Sequence, residues 1–234
     1  MIRAVVFSNN SPNVLNIFLQ SVKTNDIFDF CILYKSDENN DSEYLDVFKN
    51  NKITSFKKEN LFKEDLLELM NQGTNNLIAF FKDTNYFFTE MPKSDIETIM
   101  SDQDIFCFSL GLGKNITHCY HNDVYNILLN EEENSIDTIK WNWVKHYLDF
   151  GRPLELGAGH IFHKKEIIKL FKKWSYDSIQ TLESSFEKLD YYPKEMMSSF
   201  KRSVLVDVVS KIENIFENLN IFDFNSLDRI IIEI

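Results

Sequence analysis

A carboxylate, a hydroxyl and an amide follow a strongly apolar stretch of the chain. Residues 77–81 are uninterrupted apolar residues, typical of a strand buried on both faces of a parallel sheet. Asp83, Thr84 and Asn85 follow it after one intervening residue. Open α/β sheets bind ligands at the carboxyl ends of their strands, so oxygen ligands there could hold Mg²⁺ or Mn²⁺ and, through it, phosphate. The same three residues are ordinary turn formers, and both interpretations stay open.

The elements around this stretch alternate between strand and helix. Apolar runs predict strands at residues 2–7, 30–34, 53–56 and 77–81. Helical periodicity predicts helices at residues 14–22, 43–50 and 62–70. The alternation predicts an α/β fold of Rossmann type, an open, twisted and mostly parallel sheet flanked by helices.

The second part of the chain is less regular. Patterns predict strands at residues 104–110, 154–162 and 204–209, and helices at 94–100, at 164–174 and from 184 onward. Residues 122–140 have the composition of an acidic insertion. No stretch rich in Pro, Gly or Ser separates the two parts, so we expect residues 1–234 to form one domain.

Composition narrows the class of partner. The chain has 234 residues, 44% of them hydrophobic, and a formal net charge of −11. That charge disfavours nucleic acid and anionic membranes as partners attracted by charge alone. Cys31, Cys107 and Cys119 are an odd number at unrelated spacings, which indicates thiols in a reducing compartment. With no membrane-length apolar run and no secretory pattern in the opening residues, we expect a cytoplasmic protein without stable membrane insertion.

Two common nucleotide motifs are absent from the sequence. No G-x-G-x-x-G follows the first predicted strand, and no G-x-x-x-x-G-K-[ST] occurs anywhere. A bound nucleotide would therefore be held by side chains and a metal rather than by a glycine cradle. His118 with His121, and His160 with His163, have zinc-like spacing, but no second pair of soft ligands accompanies either pair.

In order along the chain, a series of short motifs resembles a small family of GT-A-type glycosyltransferases related to glycosyltransferase family 2. The resemblance runs nearly end to end, and it rests on the order of motifs that are individually weak. The motifs are residues 6–12 with 18–22, residues 32–35, Glu59 with residues 62–66, residues 81–85, 108–110 with 113–117, 141–143, 150–154 and 159–162.

The resemblance implies a GT-A-like fold and a metal-assisted transfer of a hexosyl or deoxyhexosyl group with inversion. The donor would be a nucleoside-diphosphate sugar such as a UDP-sugar, the cofactor Mn²⁺ or Mg²⁺, and the acceptor a hydroxyl of a glycan or glycolipid in polysaccharide synthesis. Residues 1–90 would bind the donor and residues 91–234 the acceptor.

The resemblance also assigns roles to residues. Asp83 and Asn85 would hold the metal. Glu183 would be the catalytic base. Glu155 and Asp149 are rival candidates from the residues themselves, because both flank the glycine-containing stretch. Donor contacts would come from Ser8, Asn9, Asn10, Tyr34, Lys35, Glu59, Lys63, Asp83, Thr84 and His160.

Structural explanations compete with several of these roles. Glu183 could complement the dipole of a helix that begins near it. Lys35 and Lys63 could be solvated, and His160 could be a core residue. Trp141 and Trp143 could stack on a sugar or lie in the core.

Two departures from the family pattern leave open a weakened or altered enzyme. Asn85 offers a neutral oxygen where a second carboxylate is usual, so metal affinity should be lower, and Gly111 stands where an Arg is expected. They favour an alternative, a catalytically weak sugar- or nucleotide-binding module of a glycan-assembly complex. A nucleotidyltransferase on a similar sheet is a third hypothesis, disfavoured by the lack of a basic, Gly-rich segment after the first strand.

Overall fold

The amino-terminal part of the protein alternates strand and helix as predicted. The computed structural model describes residues 1–22, 27–91, 96–116, 137–145, 156–187 and 194–208, and the backbone of 118–119, 124–125 and 132–133. The strands here are β1 (Ile2–Asn9), β2 (Phe28–Lys35), β3 (Ser55–Lys58) and β4 (Leu77–Lys82). The helices are α1 (Pro12–Ser21), α2 (Asp41–Asn50) and α3 (Phe62–Asn71).

The second part contributes further strands and three helices within the described residues. Its helices are α4 (Ile96–Met100), α5 (Lys164–Lys173) and α6 (Ile179–Glu187), with a short 3₁₀ helix at Trp143–Lys145. Its strands are β5 (Asn85–Phe87), β6 (Ile105–Ser109), β7 (His118–Cys119), β8 (Val124–Tyr125), β9 (Glu132–Glu133), β10 (Thr138–Asn142), β11 (Ala158–His163), β12 (Met196–Phe200) and β13 (Leu205–Asp207). No helix in the described ranges is long and apolar enough to cross a membrane.

The main sheet has the order β3-β2-β1-β4-β11-β6-β12-β10-β9 over the described residues. The first four strands in this order pair in parallel, and β12 is parallel to β6. The strand β11 runs antiparallel to both β4 and β6, and β10 is antiparallel to β12 and β9. The predicted α/β class is confirmed, with the parallel pairing concentrated in the amino-terminal part.

The strand order creates a switch point beside β1. The chain moves outward from β1 to β2 and β3, then crosses back through α3 to place β4 on the other side of β1. Since parallel strands end at the same edge, the residues that follow β1, β2 and β4 come together there. Ligands of open α/β sheets bind at such a point.

Helices cover both faces of the sheet. On one face α1 and α2 pack through side chains such as Phe18 and Tyr44, both buried. On the other face α3, α5 and α6 pack through Leu66, Phe171 and Phe186. Strands enclosed on both faces bury every side chain over most of their length, which explains the uninterrupted apolar runs in the sequence.

Three features differ from the predicted elements. The helix α6 begins at Ile179 rather than near residue 184, so Glu183 lies in its second turn and not at its start. The strand β10 occupies the end of the predicted acidic insertion, and β12 was not predicted. Buried serines interrupt the apolar pattern of β12, so the sequence does not show it as a strand. The hydroxyl of Ser198 donates a hydrogen bond to the carbonyl of Ile139 at 2.7 Å.

The two tryptophans lie in the core. Trp141 is in β10 and Trp143 in the 3₁₀ helix, with 0% and 1% of their surfaces exposed. The indole N–H of Trp143 donates to the carbonyl of Lys194 at 3.0 Å. Neither ring offers a face to a sugar in this structure.

Candidate functional site

A cleft of about 300 Å³ opens at the switch point, where β1, β2 and β4 end. Most of its walls come from the amino-terminal part of the chain, and one wall comes from the start of α6. The lining residues are Phe7, Ser8, Asn9, Leu33, Lys35, Glu59, Phe62, Lys82, Asp83, Thr84, Ser178, Ile179 and Gln180. The cleft thus combines two lysines, two carboxylates and an aromatic rim.

Asp83 is fixed by hydrogen bonds from the loop that follows β1. Its Oδ2 accepts the hydroxyl of Ser8 at 2.6 Å and the hydroxyl of Ser11 at 2.5 Å. Ser8 also lies 2.6 Å from the hydroxyl of Tyr44, and the amide of Ser11 donates to that same hydroxyl at 3.1 Å. Because Ser8 donates to Asp83, Tyr44 is the donor to Ser8. The network connects β4, β1 and α2.

Burial raises the pKa of the Asp83 carboxyl above its ordinary value of 3.8. Hydrogen bonds from Ser11 and Ser8 and from the backbone amides of Asn9 and Thr84 oppose this shift but do not cancel it. Desolvation disfavours the charged form, and donors that favour it only partly compensate. The carboxyl is therefore an enclosed and hydrogen-bonded group with 8% of its surface exposed.

Asn85 does not turn towards Asp83. Its Oδ1 accepts the backbone amide of Lys82 at 2.9 Å, and the residue is 2% exposed. Its Nδ2 is buried and has no hydrogen-bond partner among the described residues. The oxygen expected to ligate a metal thus closes the turn after β4 instead.

The donor set near Asp83 does not fit a divalent cation. Mg²⁺ and Mn²⁺ prefer several oxygen ligands with free lone pairs. Here one carboxylate already receives the hydrogen bonds described above, and the amide oxygen of Asn85 faces the backbone. Within the described part of the chain, no three His, Cys, Asp or Glu side chains group as metal ligands.

Lys82 is a cleft residue that the sequence interpretation missed. Its ammonium group lies 3.5 Å from Oε1 of Glu183 in α6. The same carboxylate oxygen is 3.5 Å from the amide of Gly157, just before β11. Glu183 is therefore placed beside the cleft by contacts with β4 and with the β11 entry. A lysine that ends a strand gives no distinct sequence signal, because a solvated position is its usual fate.

Lys35 and Glu59 form an ion pair in the wall of the cleft. Lys35 Nζ lies 2.8 Å from Glu59 Oε1, and the amide of Glu59 donates to the carbonyl of Tyr34 at 2.7 Å. Lys35 is half-exposed and Glu59 largely covered. The structure brings these two predicted donor residues together with Asn9 and Asp83 in one cleft.

Tyr34 and His160 lie in the core rather than at the cleft. Successive side chains of a strand point to opposite faces, so Tyr34 points away from the face of Leu33 and Lys35. There the centroid of its ring lies 4.6 Å from the ring centroid of Tyr44. His160 is in β11, 2% exposed, with Nδ1 unpartnered within the described residues. Burial lowers its pKa from 6.5 to about 4, so the ring is neutral near pH 7.

Lys63 and Asn10 have structural contacts. Lys63 Nζ donates to the carbonyls of Lys172 at 3.3 Å and Trp174 at 2.5 Å, at the carboxyl end of α5. Asn10 has a positive φ of 53°, and its Oδ1 accepts the amide of Asp37 at 2.8 Å. Each residue joins two segments beside the cleft without lining it.

Thr84 and Glu155 are the remaining predicted site residues. Thr84 lines the cleft, and its hydroxyl donates to Asp207 Oδ1 at 2.5 Å. Glu155, the second candidate base, lies outside the described residues. Ser11, Tyr44, Phe7 and Phe62 shape the cleft and were not predicted, since only the tertiary structure brings α2 and α3 to the end of β1.

Comparison with known proteins supports the fold. No protein-family model and no curated protein matches the chain. Solved structures that resemble it include S. aureus TarS, with a TM-score of 0.55 and 12% identity over 93% of this chain. Another is a cytidylyltransferase from Leptospira borgpetersenii serovar Hardjo-bovis, with a TM-score of 0.52 and 11% identity over 99% of this chain. The matches cover 38% of the TarS chain and 94% of the cytidylyltransferase, so this chain spans well under half of TarS.

A more distant structure is the mannosyltransferase PcManGT from Pyrobaculum calidifontis in complex with GDP-Man and Mn²⁺, at a TM-score of 0.46 and 9% identity over 87% of this chain and 56% of that one. Its ligands do not bear on this protein at that distance. The two better matches show a GT-A-like fold, as the resemblance implied.

Proposed function

We propose that this protein is a glycosyltransferase that moves a sugar from a nucleoside-diphosphate sugar to a hydroxyl of a glycan or glycolipid. The observation that carries the proposal is the cleft at the switch point of a GT-A-like sheet, with Lys82, Asp83 and Lys35 on its walls. Such a place suits a nucleotide, and two ammonium groups suit a diphosphate.

The donor would lie mainly against residues 1–90. Asn9 and the Lys35–Glu59 pair offer polar groups for the nucleoside, and Phe7 and Phe62 form an apolar rim with ring centroids 5.9 Å apart. Asp83 positions this wall through its hydrogen bonds with the loop after β1. Residues 91–234 would supply the acceptor side through the start of α6.

The proposed reaction is a single displacement with inversion. An acceptor hydroxyl oxygen attacks the anomeric carbon, and the bond from that carbon to the donor's phosphate oxygen breaks. The electron pair leaves with the nucleoside diphosphate, and the acceptor proton goes to the Glu183 carboxylate. Glu183 is 17% exposed and stands beside the cleft residue Lys82, within reach of an acceptor entering past α6.

A catalytically weak sugar- or nucleotide-binding module is the second candidate. Asn85 in place of a carboxylate, and the enclosure of Asp83, favour it. Nucleotidyl transfer shares the fold, but the connection between β1 and α1 runs through Asn10 and Ser11 without a glycine or a basic residue to hold a triphosphate.

Donor turnover distinguishes these functions. The protein would be incubated with UDP-, GDP- and dTDP-sugars and a mixture of glycan acceptors, or with CTP or dTTP and sugar phosphates. Release of a nucleoside diphosphate that increases with acceptor supports the proposal. Release of pyrophosphate shows nucleotidyl transfer instead, and binding without either product shows a binding module.

A further inference from the structure

Two ammonium groups face the cleft, and they differ in how they are held. Lys35 is half-exposed and contacts Glu59 at 2.8 Å, a good hydrogen-bonded ion pair. Lys82 is 28% exposed, and its 3.5 Å separation from Glu183 exceeds the usual length of a charge-assisted hydrogen bond. An ammonium group has three donors, so Lys82 has hydrogen-bonding capacity to offer an anion.

The stem of Lys82 is fixed in place. The residue ends β4, where it pairs with Phe7 of β1, and its amide donates to Asn85 at 2.9 Å. Its methylene groups lie against Gly157, where an added Cβ would be 2.5 Å from Lys82 Cγ and 2.9 Å from Cε. A cation held by a rigid strand and a close backbone is preorganised, which is what stabilisation of a developing charge requires.

The neighbours that would hold a metal are engaged elsewhere. Asp83 receives the hydroxyls of Ser8 and Ser11 on Oδ2, and Asn85 Oδ1 receives the amide of Lys82. The charge that meets a diphosphate in this cleft therefore has to come from the lysines.

We propose that Lys82, and not a divalent cation, supplies the positive charge that stabilises the diphosphate of the donor. The inference rests on the proposed function and specifies how its donor site works. Without donor, Lys82 lies beside Glu183. With donor, the ammonium group exchanges Glu183 for phosphate oxygens, which leaves the carboxylate to accept the acceptor's proton. As the bond between the anomeric carbon and the phosphate oxygen breaks, its electron pair goes to a diphosphate that Lys82 neutralises.

The test compares each nucleoside diphosphate with its own nucleoside in EDTA. Calorimetry would measure UDP, GDP, CDP and dTDP against the four nucleosides, on the native protein and on Lys82→Met. Lys82→Gln is a second uncharged variant, in case one of the two folds poorly. Lys82→Arg keeps the charge, and Lys165→Met removes one from an exposed position of α5 as the matched control.

We expect one nucleoside diphosphate to bind the native protein in EDTA about tenfold or more tightly than its nucleoside, as a charge-assisted contact implies. Lys82→Met and Lys82→Gln should lose this difference and keep the nucleoside affinity, Lys82→Arg should retain part of it, and Lys165→Met should behave as native.

Two results overturn the inference and leave the proposed function standing: diphosphate binding that requires Mn²⁺ or Mg²⁺, or an undiminished diphosphate preference in Lys82→Met. If no nucleotide or nucleoside binds with or without metal, the proposed function fails and the inference fails with it.

Discussion

Oδ2 of Asp83 accepts the hydroxyl hydrogen bond of Ser8 at 2.6 Å, which ties the end of β4 to the end of β1 at the switch point of the sheet. The contact makes Asp83 part of the frame of the cleft. A carboxyl used in this way is buried, and its protonation is coupled to folding.

The raised pKa of Asp83 predicts how stability depends on pH. An acid with a folded-state pKa above its unfolded value contributes stability fully below the unfolded value of 3.8, and this is lost as pH rises through the folded pKa. The free energy of unfolding of the native protein should therefore fall relative to that of Asp83→Asn as pH rises from about 3.8. Urea unfolding over a pH series measures the difference.

Asp41→Asn is the matched control for that measurement. Hydrogen bonds from Lys58 and Ser36 lower the pKa of Asp41, so its contribution should be lost as pH falls, the opposite sign. An Asp83→Asn difference that does not change with pH would contradict the prediction.

His160 predicts a second pH effect. A folded pKa of about 4 against an ordinary 6.5 means that the unfolded chain takes up a proton first, so stability is lost as pH falls from about 6.5 to about 4. The shift corresponds to a loss on the order of 3 kcal/mol. His160→Leu should remove this dependence. Burial also lowers the pKa of the half-buried His163, so His163→Leu is the comparison variant. Equal pH profiles of stability for the native protein and His160→Leu would refute the prediction.

Glu183→Gln should separate donor binding from transfer. Removing the carboxylate frees Lys82, so we expect nucleoside diphosphates to bind about two- to fivefold more tightly, the range for a partly exposed ion pair. Loss of the base should reduce sugar transfer by roughly a hundredfold or more. Binding isotherms and donor turnover measure the two effects. Glu68→Gln, the control, removes an exposed partner of Lys57 and should change neither nucleotide binding nor sugar transfer. Weaker nucleotide binding in Glu183→Gln would argue against the exchange of Glu183 for phosphate at Lys82.

Two glycines near β11 predict opposite outcomes for one substitution. In Gly157→Ala the added Cβ would lie 2.5 Å from Lys82 Cγ, so the stem of Lys82 should be displaced and diphosphate binding weakened. Gly159 has a φ of +70°, and its Cβ would lie 2.3 Å from Leu205 Cδ2. Gly159→Ala should therefore lower the free energy of unfolding by about 1–3 kcal/mol. Thermal unfolding and diphosphate titration of both variants measure the two effects. Equal changes of stability and of diphosphate affinity in the two variants would contradict the prediction.

Much of the fold was predictable because a strand that is covered on both faces of the sheet is an uninterrupted apolar run in the sequence. The apolar run at residues 77–81 is β4, and Asp83 lines a cleft at its carboxyl end, as predicted. The start of α6 was predicted too late, since the segment 177–181 that caps it carries no apolar periodicity. Thr181 and Ser178 instead form hydrogen bonds with each other at 3.0 Å.

The candidate site was less predictable because orientation depends on tertiary contacts. Tyr34 and Lys35 are adjacent, but alternation lets only one of them face the cleft, and the sequence does not say which. Lys63 was predicted to contact the donor. In the structure its ammonium group binds carbonyls at the carboxyl end of α5, a contact that exists only once α3 packs beside α5. Lys82 carried no signal because its partners, Glu183 and Gly157, come from distant parts of the chain.

The most direct measurement is a crystal structure of the native protein with the nucleoside diphosphate that binds it, grown in EDTA. The proposed role of Lys82 predicts that the nucleotide lies in the cleft at the ends of β1, β2 and β4. A β-phosphate oxygen should lie within hydrogen-bond distance of Lys82 Nζ, with Asp83 still bound to Ser8 and Ser11. A nucleotide bound elsewhere, or one whose phosphates contact Asp83 and not Lys82, would contradict it.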